Sequence, residues 1–224
     1  MSKRMSNKPH PSPQQARHVL AQMPADSTLQ RRDRALMAFL FLTGSREGAA
    51  ITIRLQHVDL KAGCVHFDGR TVDTKFGKRF TTGFFPFGGE AELILQNWID
   101  ELKNQHLFGQ TDPLFPKTKV GIGSDRKFAA IGIAREPWSS PSAAAKIYKQ
   151  SFADAGFPPF GPHLLRDMIM ELANDYCRTP EDFKAWSQNI GHEDVLMSFR
   201  SYGSVATGRQ MDLFAKFREE GVKL

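Results

Sequence analysis

The sequence predicts an α+β fold, mainly α-helical with a small antiparallel β-sheet. Three observations lead there. Helical periodicity opened by capping residues recurs at both ends of the chain, whereas one central stretch, residues 58–85, is rich in β-branched and aromatic residues and broken by glycines. With 224 residues, 41% of them apolar, the chain can bury a substantial core.

The elements follow in order. Ser12, Pro13 and Gln15 form a capping box with proline at the first helical position, ahead of ARHVLAQM. A second helix, LQRRDRALMAFLFLTG, ends at Gly44 and is apolar nearly all round in its second half, the mark of a central core helix. It would deliver Gly44 and Arg46 from a rigid support, and REGAAITIRL would form a short third helix. In the β region the sharpest turn falls at residues 74–78, where Gly77 can supply positive φ and Lys75 projects beside the hairpin tip.

Helical periodicity returns in GEAELILQNWIDELKNQ. Residues 109–138 show no sustained period and read as a long irregular loop. Three helices then start at Ser140 with Pro141, Gly161 with Pro162, and Thr179 with Pro180. The segment GRQMDLFAKFREE is amphipathic through Met211, Phe214 and Phe217.

A net charge of +6 and a pI near 9.4 favour an anionic partner and make nucleic acid a candidate. The first residues, MSKRMSNKPHPSP, carry no apolar signal core, and nowhere do eighteen apolar residues run together. No membrane span or secretion is expected, and the expected compartment is the cytoplasm. Cys64 and Cys177 stand far apart without metal-ligand spacing, so no metal is expected.

His163 and Arg166 in HLLRDM lie three apart on one face of a helix that starts at Pro162. The unsatisfied N–H groups and the dipole favour an anion there. The plainer alternative is a packed histidine and an arginine paired with Asp167 or Glu171. Arg46 follows the glycine that ends the core helix and needs an anionic or carbonyl partner, for which Glu47 is the nearby acid. In GHEDVLMSFRSYG, His192 and Tyr202 stand near the two ends. The other tyrosines, Tyr148 and Tyr176, fall in helix-packing patterns.

Taken in order, TGSREG, TKFGKRF, HLLR and IGHEDVLMSFRSY resemble the successive motifs of the tyrosine recombinases, the phage-integrase family, over residues 10–215. The resemblance implies the catalytic fold of those DNA breaking-rejoining enzymes. It implies that Arg46 and Arg166 clamp the scissile phosphate, that His163 and His192 complete the cradle, that Tyr202 is the nucleophile, and that Lys75 protonates the departing 5′ oxygen. The chemistry is reasonable. Guanidinium forks match phosphate oxygens and stabilise the charge of a pentavalent transition state. A phenol with a pKa near 10 needs a base or a cationic site, and an ammonium on a flexible stem can act as an acid. No cofactor, metal or nucleotide is implied, because the phosphotyrosine bond conserves the energy of the diester.

Two features depart from or blur the pattern. Ala49 stands where the family commonly has an acid three positions after the first arginine, and Lys78 and Arg79 share the hairpin with Lys75. The implied partner is double-stranded DNA, positioned by Arg31, Arg32, Lys78, Arg79, Lys119 and Lys127, with Arg34, Lys117, Arg126 and Arg135 nearby. Residues 1–10 read as a disordered lead and 11–224 as a catalytic domain without the N-terminal core-binding domain, either excised or naturally short. The C-terminal helix would either dock in trans within a homotetramer on DNA or pack on its own chain. The competing functions are a type IB topoisomerase-like nicking and closing activity and a DNA-binding module with a decayed site.

Overall fold

The structure is a computed structural model that describes residues 9–122 and 126–191, together with Met211 and Phe214. The described chain has seven α-helices and two small sheets, in the order α1 (Pro13–Gln22), α2 (Thr28–Thr43), α3 (Glu47–Thr52), β1 (Val58–Asp59), β2 (Cys64–Asp68), β3 (Arg79–Gly83), α4 (Gly89–Asn104), β4 (Thr118–Ile122), β5 (Phe128–Ile133), α5 (Ser142–Asp154), α6 (His163–Tyr176) and α7 (Pro180–Asn189). The mainly helical α+β architecture is the expected one.

Helix α2 is the axis of the core. Its run Leu36 to Leu42 has no exposed surface, as a helix apolar on every side requires. Ser27 and Gln30 close a capping box at its start, so the entry is fixed by reciprocal hydrogen bonds like those of Ser12 and Gln15 on α1. Gly44 ends it at φ 58, and a Cβ there would come within 3.0 Å of Ile169 Cδ1. Only glycine satisfies both the left-handed backbone and the close helix crossing. Around α2, Phe41 stacks on Phe87 at 5.1 Å, and Phe39 meets Phe115 edge-on at 5.3 Å. Trp98 of α4 donates its indole N–H to the Leu114 carbonyl at 2.8 Å. Truncating such a buried ring costs about 3–5 kcal/mol.

The sheet β1-β2-β3 is antiparallel throughout, with Val65 opposite Thr82 and Phe67 opposite Phe80. Phe67 and Phe80 stack at 4.8 Å, an aromatic cross-strand pair that holds the register. The β2–β3 connection is a folded loop whose tip, Lys75–Gly77, is one 3-10 turn. Gly77 has φ 65, as expected; Phe76 also lies in the left-handed region, at φ 62.

One expectation is corrected. Residues 109–138 contain the antiparallel hairpin β4–β5, pairing Val120 with Ala130 and Ile122 with Phe128. A register irregularity between Lys119 and Val120 breaks the period of two, and the apolar side chains Val120, Ile122 and Phe128 are solvent-exposed. A ribbon whose apolar residues face water gives no inside-outside alternation to read. The prolines before α5 and α6 sit one position earlier than expected, as N-caps, while Thr179 and Pro180 open α7 with a full capping box to Asp182. Among the described residues no helix is long and apolar enough to cross a membrane.

Candidate active site

Three elements deliver the central cations. The left-handed turn at Gly44 releases the chain from α2, and Arg46 becomes the N-cap residue of α3, with its side chain exposed and making no capping bond. Arg166 lies on α6, one turn after His163. Its guanidinium donates to the Gly44 carbonyl and to the Ile190 carbonyl, both at 2.7 Å. Arg166 therefore joins the end of α2 to the end of α7, rather than pairing with Asp167 or Glu171 through a hydrogen bond. Desolvation lowers its pKa to about 10, and the neighbouring charge of Arg46 pushes the same way. The group stays cationic at neutral pH.

Arg46, Arg166 and Lys75 line one cavity of about 720 Å³, closed by the β2–β3 loop, strand β3 and residues 188–191 at the end of α7. Lys78 and Arg79 join them, whereas Asp73 is the one carboxylate among the described lining residues. No ion pair links Glu47 to Arg46 among the described residues, so the partner expected for Arg46 is not the one used. The charge balance suits a polyanion, because like cations held together favour a ligand that neutralises them. Beneath the cations, Phe67 and Phe80 form the apolar wall.

The described part of the chain brings together Arg46, Lys75 and Arg166, but not the side chain of His163. That imidazole is exposed and folds back over Gly161, where a Cβ would come within 2.6 Å of its Cε1. It does not line the cavity. His192 and Tyr202 lie outside the described residues, one and eleven positions beyond Gly191. Of the other tyrosines, Tyr148 is fully buried against Phe41 and Phe152, and burial drives its phenol far above the usual range. Tyr176 stacks on Trp186 at 5.7 Å, at the end of α6. Neither reaches the cavity.

Arg31 and Arg32, expected at DNA, both have partners within the chain. Arg32 is 4% exposed and is occupied by Asp33, the Pro116 carbonyl and Thr118 Oγ1, with its guanidinium over the Trp138 ring. Arg31 grips Glu101 in a fork at 2.6 and 2.9 Å and the carbonyls of Ala25 and Asp26. Both tie α2 to distant parts of the chain. Arg34 is similarly held by the Leu20 carbonyl and Glu90. Arg79 is exposed and donates to Asp68 at 2.9 Å, while Lys119 and Lys127 are exposed on the β4–β5 hairpin.

Sequence patterns gave no sign of the device that fixes the far side of the cavity. Asn189, the last residue of α7, accepts from Gly83 N–H at 2.7 Å and donates to the Gly83 carbonyl at 2.9 Å. Thr82 Oγ1 adds a bond to the Asn189 carbonyl at 2.9 Å. The amide thus imitates a neighbouring β-strand and fixes the end of α7 just before Gly191, φ 77. Asn189→Ala is expected to cost about 2–3 kcal/mol, because two bonds vanish and two Gly83 groups lose their partners. Urea denaturation will measure it; a midpoint equal to that of the parent would show that the clamp is dispensable.

Residues 11–209 match the phage integrase family. The tyrosine recombinase XerD of Neisseria meningitidis serogroup B is 27% identical over 183 residues, 81% of this chain and 54% of that protein. XerD of Pseudomonas aeruginosa is 26% identical over 204 residues, 91% of this chain and 59% of that protein. The chain therefore spans little more than half the length of these relatives. In fold it resembles the crystal structure of XerA recombinase, with a TM-score of 0.61 and 18% identity over 96% of this chain and 66% of that one. It also resembles the XerH site-specific recombinase bound to palindromic difH substrate, with a TM-score of 0.60 and 18% identity over 91% of this chain and 51% of that one. The match across nearly the whole sequence, on the fold of tyrosine recombinase catalytic domains, shows that this chain belongs to the phage integrase family.

Proposed function

We propose that the chain is the catalytic domain of a site-specific DNA recombinase that cleaves and rejoins double-stranded DNA through a 3′-phosphotyrosine intermediate. The observation that carries this reading is the convergence of Arg46, Lys75 and Arg166 on one cavity with a single described carboxylate. A phosphodiester placed there receives two planar, permanently charged forks, which gain most when negative charge accumulates on the equatorial oxygens of the transition state.

The phenol oxygen of Tyr202 attacks phosphorus, and the bond from phosphorus to the 5′ oxygen breaks. The 3′ phosphate becomes a tyrosine ester. His163 takes the phenol proton, which requires its ring to leave the Gly161 surface, and His192 donates to a phosphate oxygen. Lys75 gives its proton to the departing 5′ oxygen. Attack by the 5′ hydroxyl of another strand reverses these steps, so neither a metal nor a nucleotide has to be consumed. Lys75 stands on a loop tip, which suits a proton donor that must follow the leaving oxygen. The reading places the protein on cytoplasmic DNA, as a homotetramer joined through the C-terminal helix. The exposure of Met211, 61%, on that helix supports docking on a second copy.

A suicide duplex that loses a short fragment on cleavage should trap a covalent adduct in the presence of a chelator. Tyr202→Phe removes the nucleophilic oxygen and is expected to abolish the adduct. An adduct that persists in that variant would refute the assignment of Tyr202.

A further inference from the structure

Phe76 is a side chain that the fold does not explain. It sits at the tip of the β2–β3 loop, 77% exposed, on the rim of the cavity that holds Arg46, Lys75 and Arg166. Its backbone is at φ 62, a region that bulky residues avoid. The neighbouring structure enforces that conformation. Gly77 N–H donates to the Thr74 carbonyl at 3.0 Å, and Thr74 Oγ1 donates to the Lys78 carbonyl at 2.8 Å. At the loop base the backbone of Gly77 runs so close to Gly69 that a Cβ on Gly69 would meet it at 2.1 Å. The tip is thus pinched from below, and a strained aromatic is presented to solvent.

A strained, exposed ring contributes little to folding, so a partner is its natural use. The surroundings name the chemistry of that partner. The ammonium groups of Lys75 and Lys78 lie 4.9 and 5.5 Å from the ring centroid, and Arg79 follows on β3. An apolar plate set among cations at the edge of a cation-lined cavity matches a nucleotide, whose phosphate seeks the cations while its base offers a flat face.

We propose that Phe76 is a DNA-contacting wedge that packs its ring against a nucleobase beside the phosphate held in the cavity, and so holds the duplex in a distorted form at the point of cleavage. This rests on the reading of the cavity as a DNA phosphate site. The ring adds a contact that tolerates any base, since every base has a π-face.

The test uses the full chain, a short mixed-sequence duplex carrying a nick, and 2-aminopurine beside the nick. Phe76→Ala is expected to weaken binding by at least about fivefold, as loss of one stacked base does, and to abolish the change in 2-aminopurine fluorescence. Phe76→Tyr should retain both. The salt dependence of binding should not change in Phe76→Ala, because no phosphate contact is lost. Phe76→Gly, which relieves the backbone, should match the alanine variant in binding without lowering Tm.

Parent-like binding and fluorescence by Phe76→Ala would overturn the wedge. So would a shallower salt slope, which would assign the loss to the lysines, or a fall in Tm, which would make the ring structural. If the parent protein itself binds no duplex, the phosphate-site reading falls with the wedge. If the parent binds and forms the adduct while Phe76→Ala is unchanged, only the wedge falls.

Discussion

Arg166→Lys is expected to lower the single-turnover rate of DNA strand cleavage by about two to three orders of magnitude, the loss typical of one preorganised charge-stabilising donor. It keeps the charge but removes the fork. In the present geometry one guanidinium spans two carbonyls, Gly44 and Ile190, at 2.7 Å each. An ammonium on a flexible stem cannot hold both and still present a planar edge to a phosphate. The substitution should also destabilise the fold by about 2–3 kcal/mol, since hydrogen bonds to a charged donor are worth more than neutral ones and the carbonyls lose their partner. Arg166→Met, which preserves the packed stem, separates the effects: its stability in urea should resemble that of the lysine variant, with slower cleavage still. A lysine variant that cleaves at the parental rate would exclude Arg166 from the phosphate clamp.

The same residue shows why part of the site was legible in sequence and part was not. Helix starts are local: Ser12 with Gln15, and Thr179 with Asp182, write their capping boxes within four positions, and the structure places helices there. Gly44 and Gly77 similarly announced left-handed turns, and those turns aim Arg46 and shape the loop of Lys75. Partnerships across the fold carry no such local mark. Arg31 looked like a surface cation because Glu101 lies 70 positions away, and Arg32 because the Pro116 carbonyl lies 84 away. The clamp from Asn189 to Gly83 spans 106 positions, so its polar side chain in the last turn of α7 had no visible purpose. The β4–β5 hairpin escaped for the opposite reason: its pairing is local, but its apolar residues face solvent and its register is interrupted.

Arg46 should behave differently from Arg166, although the proposed chemistry needs both. Arg46→Ala is expected to reduce adduct formation by about two to three orders of magnitude, again the cost of one transition-state donor, while making the free protein slightly more stable. Its side chain is exposed, provides no cap to α3 and has no ion-pair partner among the described residues. What it does have is a like-charged neighbour, since its charge lowers the pKa of Arg166. Removing that repulsion should add roughly 0.5 kcal/mol, or about 1–2 °C in Tm for a domain of this size. Burial and the neighbouring charge both lower the pKa of Arg166, to about 10, which leaves the group charged at neutral pH, so the repulsion is present under the conditions of the test. Sulfate should reverse the ranking, because an anion between two guanidiniums stabilises the parent by mass action and finds only one in the variant. Calorimetry at neutral pH with and without sulfate tests both halves. A variant less stable than the parent without the anion, and equally stabilised by it, would show that Arg46 supports the fold and that the two arginines do not share a ligand.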